Sequence, residues 1–403
     1  MSALRPRRRA RGDGAGQAKG GAEQRPRRGG RRGAPAAAEH RPDERAVRME
    51  DTFDVAAVHA WLRAHGGRVP DEPPSVRQFS GGASNLTYLL RYPGRGLILR
   101  RPPAGTKASS AHDMRREHRI QSALRPDFPY VPEMVALCTE GSVIGSDFYV
   151  MERVKGVVPR ASMSPEVDTA PRAMRALSER LVDLLVELHA VDHEAAGLGD
   201  LGRGAGYVAR QVVGWSERYR RARTWNVPSF ESVMAWLDTH RPDDVGACVI
   251  HNDFRLDNLV LDPAEPARVR GVLDWELATI GDPLMDLGSS LAYWVEADDG
   301  FGMRRFRRQP SHLPGMLTRA EIMARYCDRT GRSAERWPFY EVFGLFRLAG
   351  IAQQIYFRYH RRETRNPAFR NFWMAAHLLE RRCRAAMRRA DRGDRGDRGA
   401  AAR

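Results

Sequence analysis

The chain has almost no lysine. Only Lys19, Lys107 and Lys155 occur among its 66 basic residues, so a cation needed in a buried or ligand-facing position must usually be an arginine. Cysteine is sparse too: Cys138, Cys248, Cys327 and Cys383 are scattered with no C-x-x-C pair. That argues against a disulfide framework and a structural zinc site, and it fits a reducing, cytoplasmic location. No apolar run approaches the length of a membrane span, so no membrane partner is expected. The amino-terminal stretch lacks the apolar segment of a secretory signal; it is Arg-rich as transit peptides are, yet Gly-rich and poor in serine.

Charge is plentiful but unevenly spread. Of the formal +16, residues 1–48 carry +9 and residues 381–403 carry +6, which leaves +1 for residues 49–380. Both ends are rich in Arg, Gly and Ala, and the second contains the repeat Asp391-Arg392-Gly393-Asp394-Arg395-Gly396-Asp397-Arg398-Gly399. Segments with so few large apolar side chains cannot bury enough surface to order themselves. They read as solvated ends with nonspecific affinity for polyanions, and no specific nucleic-acid partner is expected. The organisation expected is a disordered leader over 1–48, an amino lobe over 49–153, a carboxyl lobe over 154–387 and a disordered basic tail over 388–403. At 403 residues the chain is long enough for two lobes with a core each. Helical patterning starts with Val55, Val58, Trp61 and Leu62, which makes Met49 a candidate native start. Nothing in the pattern speaks to oligomeric state.

The chemistry concentrates in His251-Asn252-Asp253-Phe254-Arg255-Leu256-Asp257-Asn258, followed by Val272-Leu273-Asp274-Trp275-Glu276. Mg²⁺ takes octahedral oxygen ligands and usually draws one or two from the protein and the rest from phosphates and water. Asn258 and Asp274 suit that role, and Asp253 suits acceptance of the proton of an attacking hydroxyl. A lone Asp-x-x-x-x-Asn reads more simply as a loop cap. The spacing turns toward ATP-dependent phosphoryl transfer only because Asp274 closes an apolar strand over 269–274, after a strand over 258–262 that stops at Pro263.

Upstream, Val76 to Phe79, Leu86 to Leu90 and Leu97 to Arg100 predict three antiparallel strands, the last two joined at Pro93-Gly94. The turn Ser80-Gly81-Gly82-Ala83-Ser84-Asn85 lets backbone approach phosphate oxygens at Gly81 and Gly82, with Ser84 and Asn85 adding polar groups; alone it is an ordinary hairpin turn. Arg100 stands where a strand cation would meet those phosphates, and Arg101 must face the other way. A helix is predicted over Ser109–Leu124 with Ser110 as its cap. Glu117 at its centre is either the partner of Arg100 or a solvent-facing acid among Arg115, Arg116 and Arg119. The strand over 147–154 reaches a lobe junction, where the backbone of Met151, Glu152 and Val154 is placed to read an adenine edge; a plain core strand is the compatible alternative.

Beyond it the pattern is helical, beginning with the apolar face of Leu177, Leu181, Leu184, Leu185 and Leu188 and continuing over 207–223, 230–239, 317–330, 339–359 and 368–387. His189 and His193 have no third metal ligand and read as structural. Asp282 before Pro283 reads as a cap and Asp286 as a brace for the loop at 251–258. The cluster Arg304-Arg305-Phe306-Arg307-Arg308 suits an anionic group such as the phosphates of coenzyme A, or is a solvated loop.

The wording HNDFRLDNLVLD, VLDWELATIGDPLMDLG, SGGASNLTYLLR and DFYVMERV resembles the aminoglycoside phosphotransferase (kinase-like) family, and within it the phosphotransferase domains fused to acyl-CoA dehydrogenases and their free-standing bacterial relatives. The resemblance runs from about Phe53 to about Arg381. It implies an α+β, two-lobed protein-kinase-like fold, with a small antiparallel sheet plus helix as amino lobe and a mostly helical carboxyl lobe. It also implies ATP with Mg²⁺, Asp253 as catalytic base, Asn258 and Asp274 as metal ligands, the turn at 81–85 over the phosphates, and an ion pair of Arg100, in place of the family's usual lysine, with Glu117. The fused relatives imply a hydroxyl of a hydroxyacyl-CoA as phosphate acceptor. The wider family implies aminoglycosides or macrolides instead. A noncatalytic nucleotide-binding scaffold with polyanion-binding tails is the remaining alternative.

Overall fold

A computed structural model describes residues 44–79, 85–103 and 113–401, with side chains to 392. Alternating apolar residues build the first layer. Strands β1 (Glu44–Arg45), β2 (Ser75–Phe79), β3 (Leu86–Tyr92), β4 (Arg95–Arg101), β5 (Met134–Cys138) and β6 (Phe148–Glu152) form one antiparallel sheet in the order β1-β2-β3-β4-β6-β5. Tyr88, Leu90, Tyr92, Leu97 and Leu99 face one side and bury the apolar stripe of helix α1 (Val55–Ala64), namely Val58, Trp61 and Leu62. Leu89, Ile98, Tyr149 and Met151 face the other side and pack on Met114 of helix α2 (Met114–Leu124). The period of two therefore sends Arg100 toward α2 and Arg101 toward α1, where its Nη2 donates to the Asp51 carbonyl at 2.7 Å. Gly94 takes φ +73° in the β3–β4 turn, a conformation glycine adopts at no steric cost. A short helix α3 (Gly141–Ile144) links β5 to β6.

Two expectations at the edges of this layer need correction. The boundary at Arg48/Met49 falls inside the sheet: Glu44 and Arg45 pair with Phe79 and Gln78, and the buried Glu44 carboxylate meets Arg91 at 2.8 Å and Arg153 at 2.7 Å. Two residues held by two arginines are too short a strand to show in any apolar pattern. Helix α2 starts at Met114, since the Asp113 side chain accepts the Arg116 N–H at 3.0 Å and caps it; Ser109 and Ser110 lie outside the described residues.

The second layer is a helical body around one large core. It comprises α4 (Pro171–His189), α5 (Tyr207–Ala222), α6 (Glu231–Thr239), α7 (Pro283–Ala292), α8 (Phe301–Phe306), α9 (Arg319–Thr330), α10 (Trp337–His360) and α11 (Phe372–Ala401), with β7 (Cys248–Ile250) pairing β10 (Thr279–Gly281) and β8 (Leu259–Leu261) pairing β9 (Val269–Val272). Helices α7 and α10 cross backbone to backbone: a Cβ on Gly344 would stand 2.1 Å from the Gly288 carbonyl oxygen. The disordered tail expected from residue 388 is also corrected. Helix α11 continues to Ala401, and Ala390 packs on the core while the Trp236 Nε1–H donates to Asp391 at 3.2 Å. Arginine and alanine are good helix formers, and tertiary anchoring at 386–391 extends the helix past the point where composition alone predicts none.

Candidate active site

The loop at 251–258 is held from beneath by one buried carboxylate. Asp286 on α7 accepts the backbone N–H groups of His251 and Asn252, both at 2.8 Å, and the His189 Nε2 stands 3.2 Å from it. Burial pushes the Asp286 carboxyl up, but the His189 ring, the His251 charge and the His251 N–H together hold it below its ordinary value. His251 accepts the Asp253 N–H on Nδ1 at 3.2 Å and directs Nε2 to the Leu273 carbonyl at 3.0 Å, which joins the loop to the strand leading to Asp274. His189 spends its other nitrogen on the Tyr326 hydroxyl at 2.7 Å, so it serves the core.

The β8–β9 hairpin then brings the two oxygen donors to one end. Leu273 donates its N–H to the Asn258 carbonyl at 2.8 Å, and Asp274 follows directly, in a left-handed backbone conformation of φ +69° that asparagine and aspartate tolerate best among residues with a side chain. Asn258 donates Nδ2 to the Asp253 carbonyl at 2.8 Å and to its carboxylate at 3.0 Å, which turns the amide oxygen away from Asp253.

From the sheet side, Arg100 reaches the same place. Its guanidinium lies 3.6 Å from Glu117, 3.4 Å from Asp274 and 3.6 Å from Glu276. Burial alone would pull this guanidinium down; Tyr149, Glu117, Asp274 and Glu276 override that and hold it well above its ordinary value. Glu117, 1% exposed, is pushed up by burial while Arg100 works against the shift, and it accepts from Tyr149 Oη and Asn85 Nδ2, both at 2.8 Å. Asn85 also donates to Glu276 at 3.2 Å. Gly81, Gly82 and Ser84 lie outside the described residues. At the strand end, Met151 is buried in the sheet opposite Ile98, Glu152 donates its N–H to the Glu133 carbonyl at 2.8 Å and receives Arg95, and Val154 follows partly buried.

Glu276 and Arg116 are the members that sequence reasoning left unassigned. Arg116 donates to the Glu276 carbonyl at 3.2 Å and to the Ala278 carbonyl, tying α2 to the segment after Asp274. The acid two residues beyond Asp274 was a visible signal for Glu276; Arg116 offered none, since its neighbours Arg115 and Arg119 look the same in sequence. The Arg304–Arg308 cluster sits on α8 and the turn after it, with Arg304, Arg305 and Arg308 exposed.

These residues fit a Mg²⁺–nucleotide pair. Glu117, Asp274 and Glu276 surround the Arg100 guanidinium, and the partly exposed Asp274 carboxylate, at the hairpin end that also carries the Asn258 amide, suits a hard divalent cation that brings its remaining oxygens on phosphates. Among the described residues no group of three or more His, Cys, Asp or Glu side chains forms a metal cage of its own.

A small antiparallel sheet bearing a buried strand cation with its helix Glu, above a helical body bearing the Asp-x-x-x-x-Asn loop and strand-end Asp, defines a kinase-like phosphotransferase. The chain belongs to the phosphotransferase enzyme family (APH), whose family model matches residues 75–324. It is 37% identical over 319 residues to acyl-CoA dehydrogenase family member 10 of Mus musculus, a match covering 79% of this chain and 30% of that protein, so the chain spans well under half the length of that curated relative. Among solved structures it resembles a "putative aminoglycoside phosphotransferase" of Ralstonia eutropha JMP134, at 33% identity and TM-score 0.71 over 84% of this chain and 99% of the other. It also shares its fold with the GDP complex of an aminoglycoside 2'-phosphotransferase, at 16% identity and TM-score 0.51 over 82% and 98% of the two chains.

Proposed function

We propose that this protein is a cytoplasmic, ATP- and Mg²⁺-dependent small-molecule kinase that moves the γ-phosphate to a hydroxyl of an acyl-CoA thioester. The observation that carries the reading is that Asn258 bonds Asp253 through its side chain and Leu273 through its carbonyl, while Asp274, next along, stands 3.4 Å from Arg100, itself 3.6 Å from Glu117. In this reading the Asp253 carboxylate orients the acceptor hydroxyl and receives its proton, while the Asn258 amide oxygen and the Asp274 carboxylate hold Mg²⁺. Bound Mg²⁺ neutralises charge on the phosphates. Arg100, kept in place by Glu117, is assigned to the phosphate oxygens, the sequence of Gly81, Gly82, Ser84 and Asn85 suits contact with the same oxygens, and the backbone around Met151, Glu152 and Val154 is assigned to the adenine. Use of a nucleotide is supported by the GDP held by a neighbour of the same fold.

The acceptor class is supported by the acyl-CoA dehydrogenase relatives. Beside the proposed base, Arg255 pairs with both Asp253 and Asp257, and the buried Arg347 donates to the Asn252 carbonyl at 2.8 Å. Gln309, next to the arginine cluster at 304–308, accepts the Leu256 N–H at 2.9 Å, which ties that segment to the catalytic loop. No helix among the described residues is long and apolar enough to cross a membrane.

The decisive experiment is phosphate-acceptor profiling with Mg-ATP against a metabolite extract and a hydroxyacyl-CoA panel, run beside Asp253→Ala. Removal of the positioned base is expected to lower turnover by about 10²–10⁴-fold. Product formation on aminoglycosides but on no hydroxyacyl-CoA, or turnover indifferent to Asp253, would overturn the reading.

A further inference from the structure

From Asp253 to Leu256 the chain alternates before a 3-10 turn over Leu256–Asn258. Phe254 and Leu256 are fully buried in the carboxyl core, and Asp253, Arg255 and Asp257 bring their charges together. Arg255 is extended at φ −143° and ψ 160°, which is what makes its neighbours point the other way. The arginine does not reach out to solvent. Its Nη2 donates to Asp253 Oδ2 at 3.0 Å, its Nε stands 2.9 Å from Asp253 Oδ1, and Asp257 Oδ1 lies 3.5 Å from the same Nε. The guanidinium is stacked at 4.3 Å from the centroid of the Tyr293 ring, which comes from the end of α7.

Asp253 is therefore held from two sides: Arg255 donates Nη2 to Oδ2 and brings Nε within 2.9 Å of Oδ1 as an ionic contact without a hydrogen bond, and Asn258 donates Nδ2 to Oδ2. A carboxylate on a flexible side chain has two rotatable bonds, and a loop residue with no such grip would sample several orientations. One charge-assisted hydrogen bond and a second close ionic approach from a planar guanidinium restrain both oxygens of the carboxylate, and a lysine, with a single point of charge, reproduces only part of that restraint. The aromatic face of Tyr293 and the Asp257 carboxylate in turn prevent the guanidinium from swinging away.

We propose that Arg255 is a positioning residue of this kinase: it sets the plane of the Asp253 carboxylate for in-line attack by the acceptor hydroxyl, and Tyr293 holds it there. The inference rests on the reading of Asp253 as the group that orients the acceptor. Because loose phosphoryl transfer asks the protein mainly for orientation, a fixed carboxylate serves it better than a mobile one. Arg255 has no contact with Asn258 or Asp274, so its effect is expected mainly in kcat rather than in KM for ATP.

The test compares full-length wild type with Arg255→Met, Arg255→Lys, Tyr293→Leu and Asp253→Ala, using Mg-ATP and 3-hydroxybutanoyl-CoA as probe and following ADP release and phosphorylated product. Arg255→Met is expected to lose about 10²-fold in kcat while KM for ATP changes less than about twofold, since a misplacement of the order of 1 Å is enough for such a loss. Arg255→Lys is expected to recover only part of it, and Tyr293→Leu to fall on the same side with a smaller loss. A kcat for Arg255→Met within about threefold of wild type, or a loss appearing wholly in KM for ATP, overturns the assignment. An Asp253→Ala variant as active as wild type sinks the underlying reading of the site instead, so the two failures are told apart. Should the probe not be phosphorylated at all, the crystal structure of Arg255→Met decides: Asp253 is expected to leave its contact with Asn258 or occupy more than one rotamer, and an unmoved carboxylate refutes the proposal.

Discussion

The carboxylate of Asp286 sits under the backbone of Asn252, accepting its N–H at 2.8 Å with one oxygen while the other accepts the N–H of His251 at the same distance. A single buried side chain therefore sets the path of the loop that carries Asp253. Asp286→Ala leaves two buried N–H donors and His189 without their acceptor, and hydrogen bonds to charged groups contribute about 1.5–3 kcal/mol each, so a loss of about 3 kcal/mol is expected in urea denaturation, together with loss of phosphotransfer. Unchanged stability would mean that the loop is held by His251 and Leu273 instead.

The same carboxylate predicts an acid limit. Its value in the folded state lies below the ordinary one, so the stabilisation it gives is complete above about pH 4, the usual range of an unfolded aspartate, and disappears as pH falls through the folded value. Denaturation midpoints between about pH 5 and pH 2 should drop more for wild type than for Asp286→Asn, which has no charge to lose.

Removing Arg100 acts on two carboxylate sets at once. Arg100→Met strips the buried Glu117 of its cation and leaves Asp274 and Glu276 facing each other, so the expected outcome is loss of nucleotide binding by more than about tenfold in calorimetric titration, well over 1 kcal/mol, along with lower stability. Arg100→Lys keeps a charge but a single point of contact, and is expected to fall between the two.

Glu44 tests whether the segment ahead of Met49 belongs to the fold. Glu44→Ala, or a chain started at Met49, frees Arg91 on β3 and Arg153 just past β6; both arginines are partly exposed and are rehydrated, so about 1–2 kcal/mol of stability is expected to go rather than the larger amounts seen for fully buried pairs. A thermal midpoint equal to that of the full chain would show that β1 adds nothing.

Gly344→Ala tests the α7–α10 crossing. The new methyl meets backbone, the Gly288 carbonyl, which cannot rotate aside, so the helices must separate, at a cost of about 1–3 kcal/mol. Since α7 carries Asp286 and α10 carries Arg347, turnover is expected to fall further than stability alone explains; circular dichroism melts set beside kcat measure the difference.

The amino acid sequence reports some of this arrangement and not the rest, for physical reasons. The meeting of Arg100 and Glu117 is legible because strand alternation assigns Arg100 one face, and Glu117 is the one acid on the helix that covers that face, in its first turn. The Asn258–Asp274 approach is legible because two apolar strands with a turn between them have only one short way to pair. Asp286, His189 and Tyr326 come from three helices distant in sequence, so their network exists only after packing; the brace can be suspected from Asp286 alone, its partners cannot. Strand β1 and the helix beyond residue 388 are invisible for the opposite reason, being ordered by contacts that composition does not record. The grip of Arg255 on Asp253 lies in between: the alternation Asp-Phe-Arg-Leu-Asp announces a shared face, but which of its charges meet is decided by the ring of Tyr293 from another helix.

The twist of the main chain at Asp274 acts as a filter on what can stand there. At φ +69° a β-branched or bulky side chain would strain the backbone, while asparagine sits without protest. Asp274→Asn thus removes a charge and leaves the hairpin as it was, whereas a valine at this spot would disturb both and teach nothing about either. Under the proposed role of Asp274, that exchange probes its charge, felt also by Arg100 3.4 Å away, without disturbing the backbone that carries it.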